Sequence, residues 1–288
     1  MEKGLIELLK LSSQYLSQHG VPNSRLDAEV LLADILNTDR IGLYVNYDRP
    51  ISSAEISRYR IAVAKRAIRI PVAYITGKKE FMSMDFHVED GVLIPRPDTE
   101  VLVDTVVQYL ITNKIQTPRI LDLCTGTGAI ACSLAKAFGK SKVVATDISD
   151  KAINVACKNV EKLDLSHQVT VIKGDLYDAV MRLEDKQFDV IVSNPPYIPT
   201  NQIKDLEPEV SKYEPKLALD GGEDGMKVIT RILDQVHDYV TNGFVCLEVG
   251  DTLQANLVAS KMKEYGLTNI NIVKDFAGLD RAVSGVIS

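Results

Sequence analysis

The sequence lacks tryptophan, and only 6% of its 288 residues are aromatic. It has four cysteines, none of which forms a Cys-x-x-Cys pair, and no two histidines stand at the spacing of zinc ligands. Because protein zinc sites draw on such pairs, we expect no bound metal. The cysteines lie in apolar segments, where a reduced thiol packs as a small hydrophobic group, so we expect a cytoplasmic protein.

Long apolar runs are also missing. No run approaches membrane-spanning length, and charged residues such as Glu2, Lys3 and Glu7 interrupt the N-terminal apolar positions, so neither a membrane helix nor a signal peptide is expected. The 33 basic residues are outnumbered by 39 acidic ones. Since proteins that hold nucleic acids usually carry a basic face, this balance argues against such a partner without excluding a local patch. We expect a monomer that requires neither a membrane nor a nucleic acid.

Two patterns of apolar residues divide the chain. Residues 1–77 place leucine, valine and alanine at helical spacing and predict a small all-α bundle, interpreted most simply as a substrate-docking domain. Residues 78–95 mix apolar and polar positions and predict a hairpin linker. Residues 96–288 open on a proline-started helix and predict a larger second domain.

Capping signals locate helix ends within the first of these ranges. Asn23 or Ser24 is expected to cap one helix. Another helix is expected to open near Ser52, with Glu55 placed for a capping box, and to run to Pro71.

From residue 119 onward, short apolar runs alternate with amphipathic helices. This alternation is typical of a doubly wound α/β fold, here with a mostly parallel sheet of seven strands covered on both faces. The expected strands are 120–124, 143–146, 169–172, 188–192, 244–249, 270–273 and 281–287, the last at a sheet edge. The expected helices are 129–138, 151–163, 226–240 and 253–265. In such folds, ligands bind at the carboxyl ends of the strands.

A glycine-rich turn, Thr125-Gly126-Thr127-Gly128, follows the first of these strands. Glycine lets a ligand approach the backbone closely, and the next helix presents free N–H groups. The spacing also satisfies the dinucleotide fingerprint, so a nicotinamide cofactor stays open beside an adenosyl one, and a plain tight turn is the alternative. Asp147, which ends the second strand, suits the two hydroxyls of a ribose in either cofactor.

Four charged residues near other strand and helix ends allow two interpretations each. Asp175 could accept the exocyclic amine of an adenine or cap the following helix. Glu248 could be a buried acceptor near the site or a charge at a helix end. Arg96 and Glu100 could line the mouth of the site, but a proline-started helix with an exposed charge pair is favoured.

The fourth strand ends in Asn194-Pro195-Pro196-Tyr197. Two prolines cannot continue a strand, so they set a stiff loop at the carboxyl end of the sheet; a rigid surface turn is the alternative. A planar NH2 group is a poor nucleophile and needs acceptors for both of its hydrogens. The Asn194 side-chain oxygen and the Pro195 carbonyl would supply them, and Tyr197 would pack on the flat group. This pattern predicts methylation of an amide or an aniline-like nitrogen, with Asn194, Pro195 and Tyr197 as its catalytic residues.

The order of these features resembles the release factor glutamine methyltransferases over essentially the whole chain. Further matching segments are 71–77, 94–100, 213–219 and 278–281. The resemblance implies a helical domain, a hairpin linker and a Rossmann-like, class I domain dependent on S-adenosylmethionine (SAM). It implies that residues 194–197 bind a glutamine amide. The implied cofactor-binding residues are Cys124, Thr125, Gly126, Thr127, Gly128, Asp147, Asp175 and Asn194.

The resemblance also implies a substrate, the N5 atom of the glutamine in the Gly-Gly-Gln tripeptide of class I peptide chain release factors. The methylated release factor acts in translation termination. One departure is Cys124, which stands where the family commonly has glycine. Alternatives are a methyltransferase for a ribosomal-protein glutamine or for the adenine N6 of DNA or RNA, a dehydrogenase, and a non-catalytic SAM-binding module.

Overall fold

The structure, a computed structural model, describes residues 4–288, which form two compact units. Glu2 and Lys3 lie outside the described residues. The helical unit contains the chain up to residue 78 together with residues 207–213, and the sheet unit contains residues 79–206 and 214–288. The chain therefore leaves the sheet unit shortly after residues 194–197 and returns at residue 214. No described helix is long and apolar enough to cross a membrane.

The helical unit is all α, as predicted. Its helices are α1 (Leu5–Gln18), α2 (Ser24–Ile35), α3 (Arg40–Val45), α4 (Ser53–Ala67), α5 (Val72–Thr76) and, after three helices of the sheet unit, α9 (Pro208–Tyr213). Their buried faces meet in one core, in which Tyr59 is fully buried and donates a hydrogen bond to the Ala28 carbonyl. Helix α3 is too short to have been recognised from periodicity.

Helix ends in this unit follow local chemistry. The capping box at Ser52 is confirmed, since its side chain accepts from the Glu55 N–H and the Glu55 carboxylate accepts from the Ser52 N–H. The predicted run to Pro71 is wrong, because α4 ends at Ala67 and Arg69 adopts a left-handed φ of 72°. At the start of α2, Asn23 holds the N-cap position, as predicted, but its side chain makes no capping hydrogen bond.

The buried guanidinium of Arg66 binds the returning segment 207–213 to the rest of the helical unit. Arg66 is 5% exposed, and its Nε and Nη2 atoms lie 2.7 Å and 2.6 Å from the carboxylates of Asp27 and Glu209. Arg69 donates two further hydrogen bonds to Glu209. Breaking a buried ion pair on one side leaves uncompensated charge on the other, which makes such networks costly to disrupt.

We therefore expect Arg66→Met to destabilise the helical unit by about 3 kcal/mol, because Asp27 loses its buried partner and Glu209 is left with Arg69. Urea denaturation followed by circular dichroism measures this change. The matched control is Arg60→Met, which replaces an exposed arginine of the same helix. Equal unfolding midpoints for the two variants would contradict the expectation.

The sheet unit opens with the predicted hairpin, β1 (Lys78–Phe81) and β2 (Met84–His87). Met82 and Ser83, with φ of 48° and 58°, make its two-residue turn. Both are left-handed, which matches the type I′ turn that joins tightly paired strands. Phe81 and Phe86, from the two strands, are buried and pack edge to face.

The predicted doubly wound, mostly parallel sheet of seven strands is confirmed. Its order is β5-β4-β3-β6-β7-β9-β8, and only the pairs that contain β9 are antiparallel. The strands are β3 (Arg119–Leu123), β4 (Lys142–Asp147), β5 (Val169–Lys173), β6 (Val190–Ser193), β7 (Gly243–Glu248), β8 (Thr268–Lys274) and β9 (Asp280–Ile287). The order reverses between β3 and β6, which is where ligands bind in such sheets.

One strand position was predicted wrongly. Strand β9 is not at the edge, since it lies between β7 and β8. It is mostly buried along its length, whereas β8 has five exposed residues and is the edge strand. The apolar run of β9 is typical of a strand with a neighbour on each side.

Helices cover both faces of the sheet. They are α6 (Glu100–Thr112), α7 (Ala129–Ala137), α8 (Asp150–Lys162), α10 (Lys216–Leu219), α11 (Lys227–Asp234), α12 (Val236–Tyr239) and α13 (Thr252–Glu264). The proline-started helix begins as a 3₁₀ turn, Pro97–Thr99, that leads into α6. The single helix predicted over 226–240 is wrong, because it is interrupted at Gln235. Separate apolar cores lie on the two faces.

Candidate active site

A cavity of about 240 Å³ lies in the sheet unit, at the carboxyl ends of four neighbouring strands. The loops after β3, β4, β5 and β6 all contribute to its wall. Of the residues predicted for the site, those that line it are Cys124, Thr125, Gly126, Thr127, Asp147, Asp175, Asn194 and Pro196. Gly128, Pro195 and Tyr197 are not among the lining residues.

The glycine loop turns sharply between β3 and α7. Gly126 and Gly128 have φ of 56° and 78°, which favours glycine over residues that carry a Cβ. At Gly128 a Cβ would also lie 3.3 Å from that of Ala156. The Thr125 N–H donates to the Thr146 carbonyl, so the loop is held against the end of β4.

Cys124 has a left-handed backbone as well, with φ of 59°. For a residue that carries a Cβ, this conformation costs about 1 to 2 kcal/mol. The strain gives a physical reason why glycine is common at this position in the family that the sequence resembles. The Cys124 side chain contributes to the cavity wall, and burial raises the pKa of its thiol, so the thiol is neutral.

Asp122 is a buried carboxylate behind the glycine loop that the sequence analysis did not single out. It is 0% exposed, and its Oδ2 accepts a 2.5 Å hydrogen bond from the Thr125 hydroxyl, while Oδ1 has no hydrogen-bond partner among the described residues. Burial raises the pKa of Asp122 to about 7, against the lowering effect of Thr125. Asp122 could have been recognised from the sequence, because it is a lone aspartate within an apolar strand.

Asp147 connects two of the loops that form the cavity. Its Oδ2 accepts from the Gly126 N–H and its Oδ1 from the Ser149 N–H, both at 2.9 Å. Burial raises the pKa of Asp147, and these two hydrogen bonds oppose the rise by favouring the charged form. The carboxylate is therefore held in one orientation on the cavity wall.

Asp175 stands at the start of the 3₁₀ turn Leu176–Ala179, but its side chain makes no capping hydrogen bond. The helix-cap interpretation of this side chain is therefore wrong. Its Oδ2 instead pairs with Arg231 at 2.9 Å, and both residues line the cavity.

The loop after β6 presents Asn194 to the cavity. The Asn194 side-chain NH2 donates to the Thr99 hydroxyl oxygen at 3.2 Å. Just before it, the Ser193 hydroxyl donates to the Leu123 carbonyl at 2.7 Å, which ties the end of β6 to the end of β3. Pro195 and Pro196 are buried, so this loop has little freedom to move.

Tyr197 is directed away from the cavity, towards the end of β7. Its hydroxyl donates to Glu248 Oε1 at 3.3 Å, and burial raises the pKa of the phenol. Glu248 is 1% exposed, which supports the buried-acceptor interpretation over a charge at a helix end. Burial raises the pKa of Glu248 to about 7, while the nearby Thr99 hydroxyl, the Arg281 charge and the Tyr197 hydroxyl lower it.

Arg96 and Glu100 do not pair with each other, so the favoured interpretation of an exposed charge pair is wrong. Arg96 lines the cavity and pairs with Glu214, a buried carboxylate that the sequence analysis did not single out. Glu214 also accepts from the Ile94 N–H. Glu100 accepts from the Met82 N–H at 2.7 Å and so fixes the turn of the hairpin.

Comparisons with known proteins decide the family. A family model described as the PrmC N-terminal domain matches residues 7–77, and one described as a methyltransferase small domain matches residues 97–209. The release factor glutamine methyltransferase of Geobacter sulfurreducens is 40% identical over 282 residues, which cover 98% of this chain and 96% of the relative. That of Clostridium acetobutylicum is 40% identical and covers 90% of each chain.

The chain belongs to the release factor glutamine methyltransferase family. The resemblance drawn from its motifs is thereby confirmed. Methyl transfer also explains the presence of the tetrapeptide at residues 194–197, whereas the activity of a dehydrogenase would not require it.

Solved structures confirm the fold. A methyltransferase from Pyrococcus furiosus superimposes with a TM-score of 0.53 at 20% identity, covering 82% of this chain and 98% of its own. The hMettl16 catalytic domain, solved in complex with the MAT2A 3'UTR hairpin 6, gives a TM-score of 0.58 at 17% identity and covers 82% and 83%. At identities of 17% and 20%, the likeness shows only that this chain has the fold of class I methyltransferases.

Proposed function

We propose that this protein transfers a methyl group from SAM to the side-chain nitrogen N5 of the glutamine in the Gly-Gly-Gln tripeptide of class I peptide chain release factors. The observation that carries this proposal is that Asn194 lines the same cavity as Asp147 and the glycine loop. Relatives that are 40% identical over nearly the full length carry the name of this activity.

The residues around the cavity fit SAM. The charged form of Asp147 is an acceptor for the two ribose hydroxyls, and Asp175 is an acceptor for the exocyclic amine of adenine. Ile148 and Leu176 add apolar surface for the flat base. Bound SAM supplies a methyl group on positively charged sulfur, which is already a good donor, so the protein needs chiefly to place the accepting nitrogen.

Asn194 and Pro195 place that nitrogen. The Asn194 NH2 is engaged by Thr99, which leaves its Oδ1 to accept one hydrogen of the glutamine amide. The other hydrogen is assigned to the Pro195 carbonyl, although Pro195 itself is not among the residues that line the cavity. Both bonds strengthen as positive charge develops on the nitrogen during methyl transfer, so they stabilise the transition state more than the ground state. Pro196 lines the cavity and borders the place for the glutamine side chain, whereas Tyr197 is directed towards Glu248.

The helical domain, residues 1–77, is assigned to docking of the release factor, with residues 78–95 as the linker and residues 96–288 as the catalytic domain. We assign the enzyme to the cytoplasm as a monomer that requires no nucleic acid. All four cysteines are free thiols, which supports a reducing compartment.

The decisive experiment offers the protein a class I release factor and SAM and locates the product by mass spectrometry. We expect one added methyl group on the glutamine of the Gly-Gly-Gln tripeptide, and none on a release factor in which that glutamine is replaced by glutamate. Ribosomal proteins and duplex DNA are offered in parallel as competing substrates. Methyl transfer to either of them, with the release factor unmodified, would overturn the proposal.

A further inference from the structure

Both acceptors in the proposed reaction belong to the loop after β6, and their position depends on how the two ends of that loop are held. The first end is bound to the sheet, because the Ser193 hydroxyl donates to the Leu123 carbonyl. Pro195 and Pro196 limit rotation within the loop but do not fix where its second end lies. That end is Tyr197, whose peptide group needs a partner of its own.

The side chain of Gln254 binds this second end. Gln254 lies in the first turn of α13, is 8% exposed and is not among the residues that line the cavity. Its Nε2 donates to the carbonyls of Tyr197 and Gly225, at 2.9 Å and 3.2 Å. Its Oε1 accepts from the Gly250 N–H at 2.8 Å. Because a carbonyl only accepts and a backbone N–H only donates, these three partners allow one orientation of the amide.

The backbone of neighbouring loops packs closely around Tyr197. A Cβ added at Gly225 would clash with the Tyr197 carbonyl oxygen, and one at Gly221 would lie 2.8 Å from the Tyr197 Cα. A Cβ at Gly250 would lie 3.2 Å from the Tyr197 ring. Tyr197 is therefore enclosed by three glycines, and the amide of Gln254 bonds the segments that enclose it to one another.

We propose that Gln254 is a positioning residue that holds the Tyr197 peptide in place and so keeps the Asn194 side chain directed at the substrate nitrogen. The inference rests on the proposed function for its consequence in catalysis. All of the contacts that carry it lie within the sheet unit. Gln254 does not touch the reacting atoms and acts through the backbone of the loop.

Gln254→Glu keeps the shape of the side chain and the oxygen that accepts from Gly250, but it sets a carboxylate oxygen against the Tyr197 carbonyl. We expect kcat for methyl transfer to fall about 10- to 100-fold, because a displacement of about 1 Å at a reacting group can have that effect. The dissociation constant for SAM should stay within about threefold, since no hydrogen bond of the Gln254 side chain reaches the glycine loop, Asp147 or Asp175.

The matched control is Asn256→Asp, which makes the same change from amide to carboxylate at an exposed position of α13. It should keep the wild-type kcat. Wild-type kcat in Gln254→Glu, or a loss of SAM affinity as large as its loss of kcat, would overturn the inference.

A second variant separates the lost hydrogen bonds from the added charge. Gln254→Met removes both donors and the acceptor without introducing a charge, and kcat should again fall at least tenfold while SAM affinity is kept. In the Asn194→Ala background, Gln254→Met should cause a smaller loss than in the wild type, since part of its effect passes through Asn194. A loss of kcat confined to Gln254→Glu, or a fully additive loss in the double variant, would contradict the proposed role.

Amide hydrogen exchange, followed by NMR, tests the same point without a substrate. The Ile198 N–H belongs to the same peptide group as the Tyr197 carbonyl and donates to the Leu219 carbonyl at 2.9 Å. In Gln254→Met it should exchange about tenfold faster, while the N–H groups of strand β6 exchange as in the wild type. Unchanged exchange at Ile198 would overturn the inference. If the wild-type protein does not methylate a release factor, the proposed function fails, and the exchange rates still decide whether Gln254 holds the loop.

Discussion

Asn194→Ala is expected to slow methyl transfer to the release factor by about 100- to 1000-fold, the range found when one preorganised transition-state acceptor or donor is removed. Alanine keeps the backbone and the rigid prolines that follow. It removes the oxygen that accepts from the glutamine NH2 and the nitrogen that donates to Thr99. Because the lost bond strengthens as charge develops, the loss should appear in kcat rather than in substrate affinity.

SAM affinity separates this effect from general damage. Asn194 lines the cavity together with the glycine loop, but no bond from its side chain reaches those residues. The dissociation constant for SAM, measured by calorimetry, should therefore change by no more than about threefold, which is about 0.65 kcal/mol and lies at the low end of one hydrogen bond's contribution. Asn201→Ala, an exposed asparagine in the 3₁₀ turn that follows, is the matched control. Methyl transfer by Asn194→Ala at the control's rate would exclude the proposed role.

Local patterns were sufficient to predict most of the sheet unit. Strands are short apolar runs, helices repeat about every 3.6 residues, and both signals depend only on neighbours in the chain. The loops after β3, β4, β5 and β6 were expected at one edge because parallel strands end there together. The cavity at that edge brings residues 124–127, Asp147, Asp175 and Asn194 together.

Contacts between distant parts of the chain were not predictable in this way. Glu214 pairs with Arg96, 118 residues earlier in the chain, and Thr99 binds Asn194 across 95 residues. The residues around Glu214 and Thr99 in the sequence form no local pattern that distinguishes these two from ordinary surface positions. The prediction that β9 lies at the sheet edge was wrong for the same reason. An apolar run shows that a strand is buried but not which strands lie beside it.

The conformation of single residues could not be predicted from the pattern of residue types either. Cys124 was noticed as a departure from a common glycine, but only its φ of 59° shows what the glycine would provide. Asp175 was equally compatible with a cap and a ligand acceptor until its partner, Arg231, was known. Both cases depend on backbone direction at a turn, which residue type constrains weakly.

Asp147→Ala should weaken SAM binding by about 100-fold, while kcat at saturating SAM falls much less. A hydrogen bond to a charged group contributes about 1.5 to 3 kcal/mol, and the carboxylate is proposed to accept from the ribose. It also holds the Gly126 and Ser149 N–H groups at 2.9 Å, so its removal frees the glycine loop that borders the same cavity. The loss should therefore lie near the upper end of the range for one such bond.

The nearby Asp150 provides the control for this loss. Asp150→Ala removes an exposed aspartate three residues later, whose pair with Lys173 lies in solvent and contributes little. It should leave the dissociation constant for SAM unchanged in calorimetric titrations. Asp147→Asn should fall between the two, because its one remaining oxygen accepts from a backbone N–H but carries no charge for the ribose hydroxyls. Equal SAM affinity in Asp147→Ala and Asp150→Ala would place the ribose elsewhere and remove the main reason to assign this cavity to the cofactor.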